Sequence, residues 1–172
     1  GHDSVQDVRD SPEPYLSTLI GRYGNRICKG RFQLGGKVYQ LPINDGENSL
    51  HGGNEGFNKK VWDALRMNDE TVVLNYVSSY GEEGFSGEVK VTVTYTFNDD
   101  NELIIDYMAT TNKKTVICLT NHGFFSLTGI ANPTPDVYNV ECEINADFYL
   151  PIDGNSIPTG EIRFVEGTPF DF

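Results

Sequence analysis

The stretch Val89-Lys90-Val91-Thr92-Val93-Thr94-Tyr95-Thr96-Phe97 decides the fold class, because apolar and polar side chains alternate along all of it. Turn-forming residues follow at 98–101, and then Leu103, Ile105 and Tyr107 alternate again. A period of two is typical of a strand with one buried face. The two runs therefore predict an antiparallel β-hairpin.

Several other stretches also have strand character. They are residues 31–34 and 37–41, which bracket Gly35-Gly36 as a further hairpin, and residues 61–64, 71–77, 115–121, 140–148 and 157–163. Residues 115–121 contain few polar side chains, which predicts a central strand buried on both faces. Helical periodicity is weak, with a loop or short helix near residues 4–8. The pattern predicts an all-β antiparallel sandwich or barrel, in one domain of residues 1–172.

Composition excludes several classes of function. The 172 residues carry a formal net charge of -12, which argues against nucleic acid and anionic membranes as partners. No apolar run approaches the roughly 20 residues that span a bilayer. The three cysteines form no CxxC pair, so we expect no disulfide framework or zinc site, and we expect Cys118 and Cys142 in the core. A cytoplasmic location is favoured, or a periplasmic or secreted one if a signal peptide precedes residue 1.

Candidate functional residues lie at strand ends and in glycine-rich segments. His122 follows the apolar run of residues 116–119, His51 lies in the long polar connection of residues 42–60, and Asn25 and Arg26 follow a glycine-flanked segment. Each also has an ordinary interpretation, as a structurally hydrogen-bonded histidine, a plain loop or a surface arginine. No metal-ligand spacing, G-x-S-x-G elbow or nucleotide-binding glycine pattern is present. Elimination leaves hydrogen bonding or acid catalysis on a polyhydroxylated ligand.

A resemblance to a known family is carried by four segments in chain order. They are Ile20-Gly21-Arg22-Tyr23-Gly24-Asn25-Arg26-Ile27 with Gly30-Arg31-Phe32, Asn48-Ser49-Leu50-His51-Gly52-Gly53 with Gly56-Phe57 and Val61-Trp62, Thr120-Asn121-His122, and Leu150-Pro151 through Ile157-Pro158-Thr159-Gly160 to Gly167-Thr168-Pro169-Phe170-Asp171-Phe172. In this order they resemble the aldose 1-epimerases, also called galactose mutarotases.

The resemblance implies an antiparallel β-sandwich of the galactose mutarotase type. It also implies cofactor-free, metal-free interconversion of the α and β anomers of a free hexose such as galactose or glucose. In that family a glutamate base takes the C1 hydroxyl proton and a histidine acid protonates the ring oxygen, so that the ring opens and recloses. His122 matches the acid and His51 a second histidine that hydrogen-bonds the sugar. Arg26 matches an arginine that binds sugar hydroxyls, and Asn25 its neighbour.

The chain departs from the family pattern in two ways. Phe124 and Ser126 stand where the family often has a hydroxylated aromatic and an asparagine, which affects sugar preference. The family's chain is also about twice as long, and its glutamate base matches no residue here. We therefore expect a sandwich that lacks a few N-terminal strands and its C-terminal half, completed by that half or by a second polypeptide, and inactive alone. The alternative is a non-catalytic sugar-binding or interaction module. A relative acting on hexose 6-phosphates would need basic residues that the net charge of -12 does not favour.

Overall fold

The structure is a computed structural model that describes residues 4–127, 129, 138 and 140–172, and its regular elements are nearly all strands. Within those residues the helical elements are α1, Val5–Asp10, with Ser4 as its N-cap, and short 3-10 turns at Cys28–Gly30, Phe57–Lys59 and Glu82–Gly84. The strands, numbered along the chain, are β1 (Leu19–Ile20), β2 (Arg26–Ile27), β3 (Arg31–Leu34), β4 (Lys37–Gln40), β5 (Ser49–Leu50), β6 (Asp63–Met67), β7 (Thr71–Ser78), β8 (Val89–Phe97), β9 (Leu103–Thr111), β10 (Thr120–Asn121), β11 (Phe148–Tyr149) and β12 (Arg163–Phe164). The strands pair antiparallel, so the prediction of an all-β antiparallel chain is confirmed.

The chain divides into two compact units, one ending at Gly123 and the other beginning at Phe124. The first unit contains β1 to β10, and the second contains the pair β11–β12. The proposal of a single sandwich domain over residues 1–172 stays a prediction.

The largest sheet is a four-stranded meander in the order β6-β7-β8-β9. Val93 in β8 pairs with Leu74 in β7 and with Tyr107 in β9. The hairpin predicted from the alternation in β8 is therefore confirmed.

The core of the first unit lies on one face of β8. Val89, Val91 and Val93 are each 1% exposed, whereas Lys90 between them is exposed, which is the alternation expected of a strand with one buried face. These valines cluster with the buried Phe57, and burying each side chain contributes about 1.5–3 kcal/mol. Phe57 follows the loop that carries His51, so the sheet provides a fixed base for that loop.

The predicted hairpin of β3 and β4 is also confirmed. Arg31 pairs with Gln40 and Leu34 with Lys37, so Gly35 and Gly36 form the two-residue turn. Their φ angles are 59° and 79°, and glycine adopts this left-handed conformation without a steric penalty.

Three predicted strands are much shorter than expected, and of residues 157–163 only Arg163 is in a strand. Only Thr120 and Asn121 of residues 115–121 are in a strand, because Cys118 bonds instead to the backbone of Arg22 and Gly24. The prediction of burial on both faces is wrong, since Ile117 is 40% exposed. Residues 140–147 pair with no strand in the described part of the chain, and only Phe148 of that predicted strand is in one.

The prediction that two cysteines belong to the core is also wrong. Cys118 and Cys142 are both exposed, as is Cys28. Cys118 lies outside the four-stranded sheet, so the apolar face of that sheet does not cover it.

Among the residues that the structure describes, no helix has the length and apolarity required to cross a membrane.

Candidate active site

Two histidines from distant parts of the sequence meet in the first unit. His51 directly follows β5 and His122 directly follows β10. Their ring centroids are 5.1 Å apart and the ring planes lie at 87°, so the edge of one imidazole faces the other. Both residues are partly buried, so each keeps part of its surface accessible.

His51 is oriented by the backbone of Asn25. The pairing of β2 with β5 places Arg26 opposite Leu50, which brings the preceding Asn25 beside the following His51. The Asn25 amide donates to Nδ1 of His51 at 2.9 Å, and the His51 amide donates to the Asn25 carbonyl at 3.1 Å. Since Nδ1 accepts a hydrogen bond, the neutral ring carries its proton on Nε2.

His51 is kept uncharged by its surroundings. Burial is the largest cause that lowers the pKa of His51 to about 4, and the neighbouring His122 and Arg26 act in the same direction. Asp45 and Glu13 oppose this shift. At neutral pH His51 is therefore a neutral donor and adds no positive charge beside His122.

His122 is held by strand β1 and the turn before it. Leu19 pairs with Asn121, and the His122 amide donates to the Thr18 carbonyl at 2.9 Å. The Ser17 amide donates to the His122 carbonyl at 3.0 Å. These bonds fix the backbone on both sides of the imidazole-bearing Cα.

The strand residue next to His122 is tied to the main sheet. The Asn121 side-chain amide donates to the hydroxyl of Tyr95 in β8 at 2.9 Å, and its oxygen accepts from the Gly123 amide at 2.7 Å. The position of His122 is therefore fixed relative to the same sheet that supports the His51 loop.

Arg26 is the cationic group of the site. Its Nε donates to Asp45 Oδ2 at 2.7 Å, and its NH1 group donates to the Asn25 side-chain oxygen at 3.2 Å. Among the described residues these bonds use two of the five guanidinium N–H donors, so the others are available for hydroxyl groups of a ligand.

The aromatic ring of Tyr15 touches both histidines. Its centroid lies 4.7 Å from that of His51, edge-on at 65°, and 5.9 Å from that of His122, in a stacked arrangement at 27°. Burial raises the pKa of the Tyr15 hydroxyl above its ordinary value.

A buried arginine lies in the segment just before Asn25 and Arg26. Arg22 is 1% exposed and donates to the Ser78 hydroxyl and to the backbone carbonyls of Ser78, Ser79 and Ser86. Its own carbonyl accepts from the Cys118 amide at 2.9 Å.

Close backbone contact joins the loop after His51 to the segment before Arg22. A methyl group on Gly52 would overlap the carbonyl oxygen of Gly21, and the Phe57 amide donates to that same oxygen at 3.1 Å. The loop that follows His51 therefore rests directly on the segment before Arg22.

Within the described residues, no cluster of three histidine, cysteine, aspartate or glutamate side chains is placed to hold a metal ion. The site as described consists of two imidazoles, a guanidinium with its carboxylate partner, a phenol ring and supporting amides.

Comparison with known proteins places this geometry in a family. The family model for aldose 1-epimerase matches residues 1–172. The chain belongs to the aldose 1-epimerase family. The galactose mutarotase of Rattus norvegicus is 49% identical over 159 residues, which cover 92% of this chain and 45% of that protein. The aldose 1-epimerase of Escherichia coli K12 is 41% identical over 168 residues, covering 94% of this chain and 48% of that protein.

Solved structures of the family have the same fold. An aldose epimerase homologue from C. elegans matches with a TM-score of 0.87 and 31% identity, over 100% of this chain and 51% of that one. The galactose 1-epimerase of Lactobacillus acidophilus matches with a TM-score of 0.83 and 30% identity, over 99% of this chain and 50% of that one. The prediction of a galactose mutarotase-type fold is confirmed, and the chain spans about half the length of these aldose 1-epimerase relatives.

The residues predicted from the sequence come together in this chain. His51 and His122 are in contact, Asn25 bonds to His51, and Arg26 bonds to Asn25. Their roles in catalysis and binding stay predictions.

Sequence reasoning missed two members of the site, Tyr15 and Asp45. Tyr15 lies in a stretch of weak periodicity, and its only signal was an aromatic next to Pro14. Asp45 lies in the polar connection 42–60, whose unusual length for an irregular loop was a signal that it has a function.

Proposed function

We propose that this chain carries the general acid and the sugar-binding groups of an aldose 1-epimerase that interconverts the α and β anomers of a free hexose such as galactose or glucose. The observation that carries the proposal is the asymmetric pair of imidazoles, in which His51 is held neutral next to His122. Two adjacent imidazolium ions would repel each other, so a neutral His51 favours His122 as the group that carries the transferable proton.

In this proposal His122 donates its proton to the ring oxygen as the bond between that oxygen and C1 breaks. A base removes the C1 hydroxyl proton at the same time, which gives the open-chain aldehyde. Rotation about the bond between C1 and C2 and reversal of both proton transfers close the ring as the other anomer. No atoms or electrons are gained or lost over the cycle.

The remaining groups bind the sugar. His51 donates from Nε2 to a sugar oxygen near C1, and Arg26 donates its remaining N–H groups to hydroxyls. Asp45 and Asn25 hold the guanidinium in place. Neutral hydroxyl ligands suit such donors, and the reaction requires no cofactor.

We propose that the general base lies in a second half, which corresponds to the part of the relatives that this chain does not match. The relatives are about twice as long, and the glutamate motif of the family matches no part of this chain. We therefore propose that the corresponding second half, on the same or another polypeptide, supplies a glutamate facing His122.

Polarimetry tests the proposal. Mutarotation of α-galactose and α-glucose is followed with this chain alone and with the polypeptide that corresponds to the remaining half of the relatives. We expect acceleration over the uncatalysed rate when both halves are present. Saturable sugar binding by calorimetry without acceleration, even when both halves are present, would instead identify a non-catalytic sugar-binding module.

Substitution separates the proposed roles. His122→Ala is expected to lower kcat by about 100-fold to 10,000-fold, the usual contribution of a general acid. Arg26→Ala is expected mainly to raise KM. Lys90→Ala, an exposed position on the outer face of β8, is the matched control and should keep parental kinetics. Parental kcat in a folded His122→Ala protein would refute the assignment of the acid.

A further inference from the structure

Tyr15 is placed where both histidine-bearing segments can be held by one side chain. Its ring contacts His51 edge-on at 4.7 Å and stacks on His122 at 5.9 Å, while the two imidazoles are themselves 5.1 Å apart. The three rings therefore form a closed triangle, in which moving any one ring changes its distance to the other two.

The backbone around Tyr15 is anchored to the His122 segment. The Tyr15 carbonyl accepts from the amide and the hydroxyl of Thr18, at 3.1 and 2.7 Å, which closes a tight turn. The same turn exchanges two backbone hydrogen bonds with His122, through Ser17 and Thr18. The backbone of Tyr15 is thus fixed relative to the backbone of His122.

A second anchor joins Tyr15 to the loop that follows His51. The carbonyl of Pro14 accepts from the Asn58 side-chain amide at 3.1 Å. Asn58 is in the 3-10 turn Phe57–Lys59, whose Phe57 is buried in the core. Tyr15 is therefore braced from both sides of the site, which an incidental surface tyrosine would not be.

We propose that Tyr15 is a positioning residue of the histidine pair, whose aromatic ring sets the separation of the two imidazoles and shields His51 from water. The inference rests on the proposed function for its catalytic consequence, but its structural content concerns the histidines alone. The ring, and not the hydroxyl, is the operative part, because both contacts are made by the ring.

Shielding by an apolar ring has a definite electrostatic consequence. Burial is the main cause of the lowered pKa of His51, and Tyr15 provides part of the surface that buries it. The charged and titratable groups that also act on His51 are His122, Arg26, Asp45 and Glu13, and all of them remain when Tyr15 is changed. Loss of the ring should therefore move the pKa of His51 upward, towards the ordinary histidine value near 6.5.

The test is an NMR titration of the imidazole resonances in protein with labelled histidine, with His51 assigned through His51→Gln. In Tyr15→Leu we expect the pKa of His51 to rise by about one pH unit or more, and in Tyr15→Phe we expect the parental titration. Tyr39→Leu is the matched control, since Tyr39 stacks on Phe32 and not on the histidines. If Tyr15→Leu does not fold, Tyr15→Met replaces it as a side chain of similar apolar volume.

Kinetics provide the second readout. With the active protein, Tyr15→Leu is expected to lower kcat about tenfold or more with little change in KM, because misplaced imidazoles slow the chemical step. A folded Tyr15→Leu protein with the parental His51 titration would overturn the proposal, as would Tyr15→Phe if it shifted His51 as much as Tyr15→Leu. A shifted His51 in Tyr15→Leu, together with no mutarotase activity from the parental chain combined with its second half, would uphold the positioning role while refuting the proposed function.

Discussion

At the scale of single residues, the site depends on how each polar side chain is restrained by a neighbour. Arg26 illustrates this best, because a guanidinium that already bonds to Asp45 and Asn25 loses less conformational freedom when a sugar binds. In the proposed function we therefore expect Asp45 to preorganise Arg26 and not to contact the substrate.

Replacing Asp45 tests this view. Asp45→Asn removes the charge that holds Arg26 at 2.7 Å, and we expect KM to rise about threefold to tenfold while kcat changes little. Asp45 also opposes the lowered pKa of His51, so its loss lowers that pKa further and leaves His51 neutral at pH 7. Steady-state polarimetry measures both constants.

The control for Asp45 is Glu55→Gln. It breaks the exposed pair of Lys59 and Glu55 at 3.2 Å, which lies outside the proposed site, and should leave both constants unchanged. A tenfold fall in kcat without a change in KM for Asp45→Asn would contradict the positioning of Arg26 and indicate a direct role in the chemistry.

The sequence predicted four residues of the site, but it did not predict which residues they contact. His51, His122, Arg26 and Asn25 were predicted from glycine-rich or strand-end context and from motif order. The roles of Tyr15 and Asp45 depend on contacts with residues far away in the sequence, and local pattern carries no information about such contacts.

At the scale of elements, the short strands place the site and the long sheet stabilises it. The pairs β1–β10 and β2–β5 are two residues long, yet each ends directly at a histidine. The alternating pattern predicted the long strands well, because one face of β8 is buried. It failed for residues 115–121, where an apolar run bonds to the irregular segment near Arg22 and not to a strand ladder.

The contact between the Gly52 loop and the Gly21 segment provides a test at this scale. Gly52 has a φ of 91° and its missing Cβ would overlap the Gly21 carbonyl oxygen, so Gly52→Ala combines backbone strain with a steric clash. We expect the free energy of unfolding to fall by at least about 2 kcal/mol, measured by urea denaturation.

Gly81→Ala is the matched control for Gly52. Gly81 has a similar φ of 83°, but no atom lies within 4 Å of its missing Cβ, so the substitution introduces strain without a clash. Its expected cost is about 1 kcal/mol, the usual penalty of a left-handed alanine. Equal losses for the two variants would show that the Gly52 loop does not rest tightly on Gly21.

At the scale of the whole molecule, charge selects among candidate ligands. The net charge of -12 repels anions over the Debye length but has no long-range effect on a neutral sugar. The charge therefore favours the proposed free hexose over a hexose 6-phosphate as substrate.

Ionic strength provides the corresponding experiment. For galactose we expect kcat/KM to change by less than about twofold between about 10 mM and about 0.5 M salt, because the sugar carries no charge on which the field of the protein could act. Any activity on galactose 6-phosphate should be weaker at low salt and should increase as salt screens the repulsion. Activity on the phosphate that exceeds that on galactose and falls with added salt would point to a local basic site and against a free hexose as substrate.

The anchoring of Arg22 determines which substitutions, insertions and deletions this chain tolerates during evolution. Three of the four acceptors of its guanidinium are main-chain carbonyls, at Ser78, Ser79 and Ser86. A carbonyl is present whatever the side chain, so substitutions at positions 79 and 86 leave those acceptors in place. An insertion or deletion between them would move the carbonyls themselves, and the loss would reach the histidines through the segment that Arg22 holds. The anchoring of Arg22 thus constrains the length of the connection from β7 to β8, and does not constrain the side chains at positions 79 and 86.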